Sequence, residues 1–461
     1  MNFSFTLEEL LRQAKKLKGK TVDFLLKHKE FDSGKGAIGN IIEREGFGIA
    51  NNNESRPDFP ELGVELKVLP LKRDTKNRLT VKERTKICSI NYMNLINEKW
   101  VSSHAKNKLN KILFIFYEYN QKNPRHSKVI DYYLFNLDES DEPLLKSDWE
   151  RTKREVELGR AHSLSESQNV VLAASRSGAG KLPESKWPEQ PNQRIQKNAR
   201  QRAFSLKPSF TKTLWHEVHY KNSLDKIIDK YKYSDAEGLE NYILGQLNKW
   251  QGQSIAEFAK HHNIKKMTGK ASNAFILRSA LGFFDKKKQL KEIMQLGLSV
   301  KTVPCRSSDL FPWESMSFPY QPLGEIINED RFDESEFYTY LQGFLFIPLL
   351  RDKREKQNSS TITLGKSVIW HPTHDELEDI QEEWEQIRNV IRDDLRVWKK
   401  VTNNKKGFVQ KNNIPGESDT KYIHMRPHGR DSNDLDDSIK VKITKQSFWF
   451  NKSFIQKLIS G

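Results

Sequence analysis

Cysteine is nearly absent. The two residues, Cys88 and Cys305, stand far apart in a chain of 461. That excludes a disulfide scaffold and any thiolate metal motif, and it fits a reducing compartment. No apolar run approaches the length of a spanning helix. The opening Met1-Asn2-Phe3-Ser4-Phe5 lacks the basic segment and apolar stretch of a signal peptide, so a cytoplasmic location is expected. Histidines at His216-Glu217-Val218-His219, His261-His262 and His371-Pro372-Thr373-His374 never show the H-E-x-x-H spacing that sets two imidazoles on one helix face. A glycine-bearing run, Ser175 to Lys181, lacks the first glycine of a phosphate loop and has Leu182 where a hydroxyl would reach the metal. No nucleotide cofactor is expected.

Acidic residues are also short in number: 61 Asp and Glu face 77 Lys and Arg, leaving a net charge of +16 and a pI near 9.4. Such a chain suits a polyanionic partner, and nucleic acid fits better than membrane. Its length favours two domains. Ten tryptophans and 25 phenylalanines supply real cores.

What is present centres on Pro57-Asp58-Phe59-Pro60-Glu61-Leu62-Gly63-Val64-Glu65-Leu66-Lys67-Val68-Leu69-Pro70. Read as a strand from Val64 to Leu69, it points Val64, Leu66 and Val68 to a core and Glu65 and Lys67 to the other, wet face. The proline-bearing turn can return Asp58 toward Glu65. Two carboxylates can hold a hard divalent cation such as Mg²⁺, and a neighbouring lysine can orient a water. Upstream, Thr6-Leu7-Glu8-Glu9 reads as a capping box opening a helix to about Lys18. Thr21 to Lys29 reads as a second helix. Ala37 to Glu45 reads as a third, with Glu43 at the end of its apolar face, where it could enter the site. Downstream, strands are expected at Lys86 to Tyr92, Lys111 to Tyr117 and Val129 to Phe135, with Lys108 just before the second. Ser147-Asp148-Trp149-Glu150 reads as another capping box. A polar loop from Ala174 to Arg202 carries Arg176 and Lys181, and suits contacts to phosphates and base edges. Phe204 to Lys207 reads as a strand leading to a helix near Ser209. Tyr220 to Glu240 reads as a charged helical junction.

The second half repeats the first. Gly34-Lys35 matches Gly269-Lys270, Leu62–Pro70 matches Leu296–Pro304, Ile112–Ile115 matches Phe344–Ile347, and Trp149 matches Trp384, at separations of 232 to 235; Phe204-Ser205 matches Phe448-Trp449 at 244. In the second copy Glu65 becomes Ser299, Asp58 falls opposite Glu292, Glu43 opposite Arg278 and Lys108 opposite Tyr340. Only Lys301 keeps its identity. A copy without paired acids should not cut, yet it keeps basic surface around Arg426, His428, Arg430 and Lys445. The expected domains are 1–222 (catalytic), 223–240 (helical linker) and 241–461 (a degenerate DNA-binding or allosteric copy).

Four segments carry a resemblance: Lys35…Gly39-Asn40-Ile41-Ile42-Glu43; Pro57-Asp58…Leu62-Gly63-Val64-Glu65-Leu66-Lys67; Asp148-Trp149-Glu150; and Arg202-Ala203-Phe204-Ser205-Leu206-Lys207. Together they resemble the MutH-like family of GATC-specific nucleases. The tandem arrangement is similar to its restriction endonucleases rather than its single-domain nickases. The resemblance implies two restriction-endonuclease-like domains of mixed α/β fold, Mg²⁺ dependence and double-strand cleavage of DNA at GATC. It implies Asp58, Glu65 and the Leu66 carbonyl as metal ligands, Lys67 as the residue placing the attacking water, and Glu43 and Lys108 as completing the catalytic group. DNA contacts are implied at Lys35, Arg176, Ser177, Lys181, Ser205 and Lys207. An effector-DNA face is expected at Arg426, His428, Arg430, Lys445 and Trp449, acting allosterically or by pairing molecules through dimerisation or DNA-induced self-association.

Overall fold

The computed structural model describes the whole chain except residues 1–4, 28, 32–33, 35, 50–55, 75–76, 82, 178–182, 193–195, 221–222, 265–271, 286, 353–360 and 402–407. Lys35 and Lys181 lie outside the described residues, as do Gly269 and Lys270. The chain forms two compact units. Met1–Leu239 with Asp285–Gly297 makes the first, and Glu240–Phe284 with Leu298–Gly461 the second.

The first unit opens with α1 (Leu7–Leu17), whose Thr6 and Glu9 close the expected capping box. Next come α2 (Val22–Leu26) and α3 (Ala37–Ile41), the latter passing into a wide π-turn, Ile42–Gly46. Then follow β1 (Glu65–Arg73), β2 (Leu79–Val81), β3 (Thr85–Ser89), α4 (Tyr92–Leu95), α5 (His104–Leu109), β4 (Lys111–Glu118), β5 (Lys128–Asn136), α6 (Glu142–Glu157), β6 (Leu172–Arg176), β7 (Arg202–Leu206), α7 (Pro208–His219) and β8 (Leu224–Asp225). The main sheet runs β2-β1-β4-β5, and a smaller one runs β3-β7-β6. β1 and β4 are parallel, with Glu65 opposite Ile112, and the remaining pairs of the main sheet are antiparallel.

Both faces of this sheet are covered, as suits a parallel pair. On one face Leu10, Ala14, Ile38, Ile41 and Ile42 pack against Val64, Leu66, Leu113 and Ile115. On the other, Phe116 meets Trp215 and Phe135 meets Phe210, both partners from α7. The alternation expected of β1 is present, but its second face is not wet. Glu65 is 1% exposed, and Leu69 and Leu71 are buried further along the strand.

Three local expectations change. Asn91 caps α4, so Tyr92 starts a helix rather than ending a strand. Ser147 opens no helix: α6 already begins at Glu142, and Asp148 is buried within it. The 223–240 segment is not a helical linker. It holds β8, a 3₁₀ turn at Ile227–Asp229 and only the start of α8 (Ala236–Asn248). The amides of Ile227 and Ile228 are taken by the Glu292 carboxylate at 2.8 and 3.0 Å, which keeps this stretch from coiling into a helix.

After α8 come α9 (Ile255–His261) and α10 (Ser272–Ala280), then β9 (Gln289–Leu290) and α11 (Lys291–Gln295), both in the first unit. The second unit continues with β10 (Ser299–Cys305), β11 (Met316–Ser317), α12 (Leu323–Asn328), α13 (Glu336–Tyr340), β12 (Phe344–Leu350), β13 (Thr363–Leu364), β14 (Val368–Trp370), α14 (His374–Asp393), β15 (Val397–Val401), β16 (Phe408–Asn412), β17 (Ile423–Pro427), β18 (Gln446–Phe450) and α15 (Lys452–Ser460). Its topology repeats the first. β10 and β12 pair in parallel with Ser299 opposite Phe344, and β11-β18-β17 reproduces β3-β7-β6.

Candidate active site

The turn before β1 closes by reciprocal backbone bonds between Phe59 and Val64 (2.9 and 3.2 Å). Gly63 sits in it at φ +62°, a conformation that favours glycine. This fold-back brings the Asp58 carboxylate to the amide of Leu66, which donates to Oδ2 at 2.9 Å. One residue earlier, Glu65 Oε1 receives the Lys67 ammonium at 2.6 Å and the Lys108 ammonium at 3.1 Å. Lys108 arrives from α5 because that helix leads directly into β4, whose Ile112 pairs with Glu65. Glu65 Oε2 is buried and has no hydrogen-bond partner among the described residues. An orphaned carboxylate oxygen in the interior is costly unless something else satisfies it.

The electrostatics are those of crowded acids. Burial raises the Asp58 carboxyl above its usual range, with Glu65 adding to the shift and Lys67 opposing it. Glu43, on the π-turn, is pushed up to about 7 by burial, against the pull of Lys67 and with the help of Asp58 and Glu65. The Cys88 thiol, also within the field of Lys108, Glu65 and Lys67, is raised to about 12 by burial and is therefore unreactive. Among the described residues no three His, Cys, Asp or Glu side chains stand close enough to share one ion. Glu43 joins Asp58 and Glu65 through their shared field. The oxygens that fit a hard cation are those of Asp58 and the free Oε2 of Glu65.

The expected DNA contacts divide. Arg176 is exposed and Ser177 partly so. Ser205 and Lys207, also expected to meet DNA, are buried here. Ser205 Oγ lies 2.6 Å from Ser175 Oγ. Lys207 is fully enclosed, and burial lowers it to about 8 against the opposing pull of Asp148.

In the second unit, the Arg426 guanidinium lies 4.6 Å over the Trp449 ring, and His428 packs on the same ring and bonds Ser447 Oγ at 2.9 Å. A recess of about 220 Å³ is lined by Trp313, Glu314, Ser315, Arg426, Trp449 and Lys452. Lys445 and Arg430 instead turn to Asp434, at 2.8 and 3.7 Å. The sequence reading missed Trp313 and Lys452, and it missed Asp148 and Glu383 as acceptors of backbone amides. The last two stand immediately before the repeated tryptophans, Trp149 and Trp384, and that adjacency was the available signal.

The family model described as "DNA mismatch repair enzyme MutH" matches residues 47–148 and 281–383. The DNA mismatch repair protein MutH of Shewanella amazonensis is 30% identical over 174 residues, covering 36% of this chain and 75% of that protein. The chain belongs to the MutH family. The MutH protein of Pectobacterium atrosepticum is 32% identical over 139 residues, covering 30% of this chain and 58% of its own. The type II restriction enzyme Sau3AI of Staphylococcus aureus is 29% identical over 502 aligned positions, covering 100% of this chain and 99% of the enzyme. The chain therefore carries two tandem MutH-like domains, the doubled match falling on the doubled topology.

Proposed function

We propose that this protein is a type II restriction endonuclease that makes a Mg²⁺-dependent double-strand cut in DNA at GATC. The observation that carries the reading is the convergence of Lys67 and Lys108 on one oxygen of Glu65 while its other oxygen is buried without a partner among the described residues. End-to-end similarity to a type II restriction enzyme supports that class over a nickase. Asp58, Glu65 and the Leu66 carbonyl would hold the ion. When bound, the cation supplies Lewis acidity that acidifies water and offsets charge on the phosphate. Lys67 would orient the attacking water by hydrogen bonding, and Lys108 would balance the negative charge at the scissile phosphate. Arg176 and Ser177 would meet the DNA. The second unit has Ser299 in place of Glu65 and would not cut; its Arg426–Trp449–His428 face would bind a further DNA copy and stimulate cleavage. One cutting centre per chain then requires two chains or two successive events for a double-strand break. A cytoplasmic location is part of the same proposal. Among the described residues no helix is long and apolar enough to cross a membrane.

The test is digestion of supercoiled plasmid, methylated and unmethylated at GATC adenines, with and without Mg²⁺, followed by end sequencing. Linear product with ends at GATC is expected, and Lys67→Ala should lower the rate on the order of 10²-fold or more while leaving DNA binding intact. Open circles that never become linear would instead indicate a nickase. Binding without any metal-dependent product would indicate a regulator.

A further inference from the structure

A fully buried carboxylate in α6 lies outside the chemistry above. Asp148, midway along α6, accepts the amides of Val170 (2.9 and 3.0 Å), Val171 (2.7 Å) and Leu172 (2.8 Å). These are the residues by which the chain enters β6. Asn169 ties the same corner, its Nδ2 donating to the Thr152 hydroxyl at 2.9 Å and to the Leu172 carbonyl at 2.6 Å. In the second unit Glu383, midway along α14, accepts the amides of Lys421 (2.6 Å), Tyr422 (3.1 and 3.2 Å) and Ile423 (2.8 Å), where the chain enters β17. The two acids are equivalent in the repeat, each preceding its buried tryptophan, and each matched family segment ends on one of them.

The strand behind each latch carries a proposed DNA contact a few residues on: Arg176 follows Leu172 by four residues and Arg426 follows Ile423 by three. Strand pairing covers only Leu172–Arg176 with β7 and Ile423–Pro427 with β18, so the amides just before each strand depend on the helix carboxylate. Several N–H groups converging on one anion make a short, directional grip. The grip survives a change from Asp to Glu, so the charge and its acceptor geometry are what the two units share.

We infer that Asp148 and Glu383 are positioning residues, each fixing the height at which its own unit's recognition strand presents side chains to DNA. The inference rests on the proposed reading of the protein as a GATC endonuclease with a second DNA-binding unit. Neither carboxylate touches DNA; each acts through the backbone that leads to the residues that do.

The test uses the full chain. Asp148→Asn replaces an acceptor with a group that also donates, opposing the amides it faces; Asp148→Glu keeps the anion in the form the second unit uses. The readouts are KM and kcat on a GATC duplex, and the ratio of cleavage at GATC to cleavage at sites differing by one base. Asp148→Asn should raise KM and lower that ratio on the order of tenfold, the discrimination of one well-placed base contact, with kcat little changed. Asp148→Glu should recover most of the selectivity. In a Lys67→Ala background, Glu383→Gln should reduce the number of GATC duplexes bound per chain from two to one. That arm decides the matter should Asp148→Asn fail to fold. Unchanged selectivity together with unchanged stoichiometry would overturn the inference, as would a uniform loss of activity tracking only a lower Tm. Wild-type chain that leaves GATC uncut would overturn the underlying reading and the inference with it, whereas wild-type cleavage with indifferent variants sinks the positioning role alone.

Discussion

Glu65 is a buried carboxylate whose first oxygen meets two ammonium groups and whose second has no hydrogen-bond partner among the described residues. The two lysines occupy one oxygen of Glu65 and leave the other turned away from them. Glu43 beside it titrates near neutrality. Its folded pKa of about 7 lies above the ordinary 4.5, so between those values the native state holds a proton that the unfolded chain has released. Stability from this group is therefore greatest below pH 4.5 and is lost as pH rises through about 7. In metal-free protein, Tm measured across that window should fall with pH, and Glu43→Gln should flatten that part of the slope. A divalent cation favours ionised neighbours, so added Mg²⁺ should raise Tm more at pH 8 than at pH 6, on the linkage between ligand and proton. Equal Tm gains at the two pH values would remove Glu43 from the metal's surroundings.

The turn from Asp58 to Glu65 is the element on which the site depends. Gly63 holds it at φ +62°, with open space where a Cβ would stand. Gly63→Ala should thus cost only backbone strain, about 1–2 kcal/mol, and should also slow cleavage, because the strain relaxes by moving Asp58 relative to Glu65. Gly297, in the repeat's equivalent turn at φ +67°, offers the control. Gly297→Ala should lower Tm comparably and leave the cleavage rate alone, since Ser299 follows where Glu65 would. These relations show why part of the site was legible in the sequence. Glu65 and Lys67 are two residues apart on one strand, and Asp58 is joined to them by a single turn, so local geometry sufficed. Without the resemblance, Lys108 reads as no more than a basic residue near a strand; its contact with Glu65 requires the parallel register of β1 and β4. The inward position of Ser205 and Lys207 depends on what packs behind β7, which alternation does not encode. Ser147 to Glu150 carries the letters of a capping box inside a helix already started at Glu142, where Pro143 at the first turn gives the better start.

At the scale of the molecule, the repeat is not cut where the sequence suggests. Asp285–Gly297 belongs to the first unit, although it follows 45 residues of the second, Glu240–Phe284. Within that segment Lys291 meets Asp141 at 2.9 Å, both 2% exposed, and also donates to Ser140 Oγ at 3.0 Å. Gln295 donates to the same Asp141 at 2.7 Å, and Glu292 takes the amides of Ile227 and Ile228. The acid that stands in the repeat where Asp58 stands in the first copy has thus become a structural acceptor. A fragment of residues 1–240 would keep every proposed catalytic side chain and lose this segment. Asp141 would then be an uncompensated interior charge, and two buried amides would lose their acceptor. Removing one partner from a buried ion pair alone costs about 3–5 kcal/mol, a large share of the stability of a domain. The fragment should therefore melt well below the full chain or fail to accumulate as folded protein, and Lys291→Ala in the full chain should reproduce much of that loss. Appending residues 285–297 to the fragment through a flexible linker should restore folding and, with it, cleavage. Thermal melts and limited proteolysis of the fragment, the appended fragment and the full chain decide the matter. A bare 1–240 fragment as stable as the first unit of the intact protein would show that the segment is dispensable.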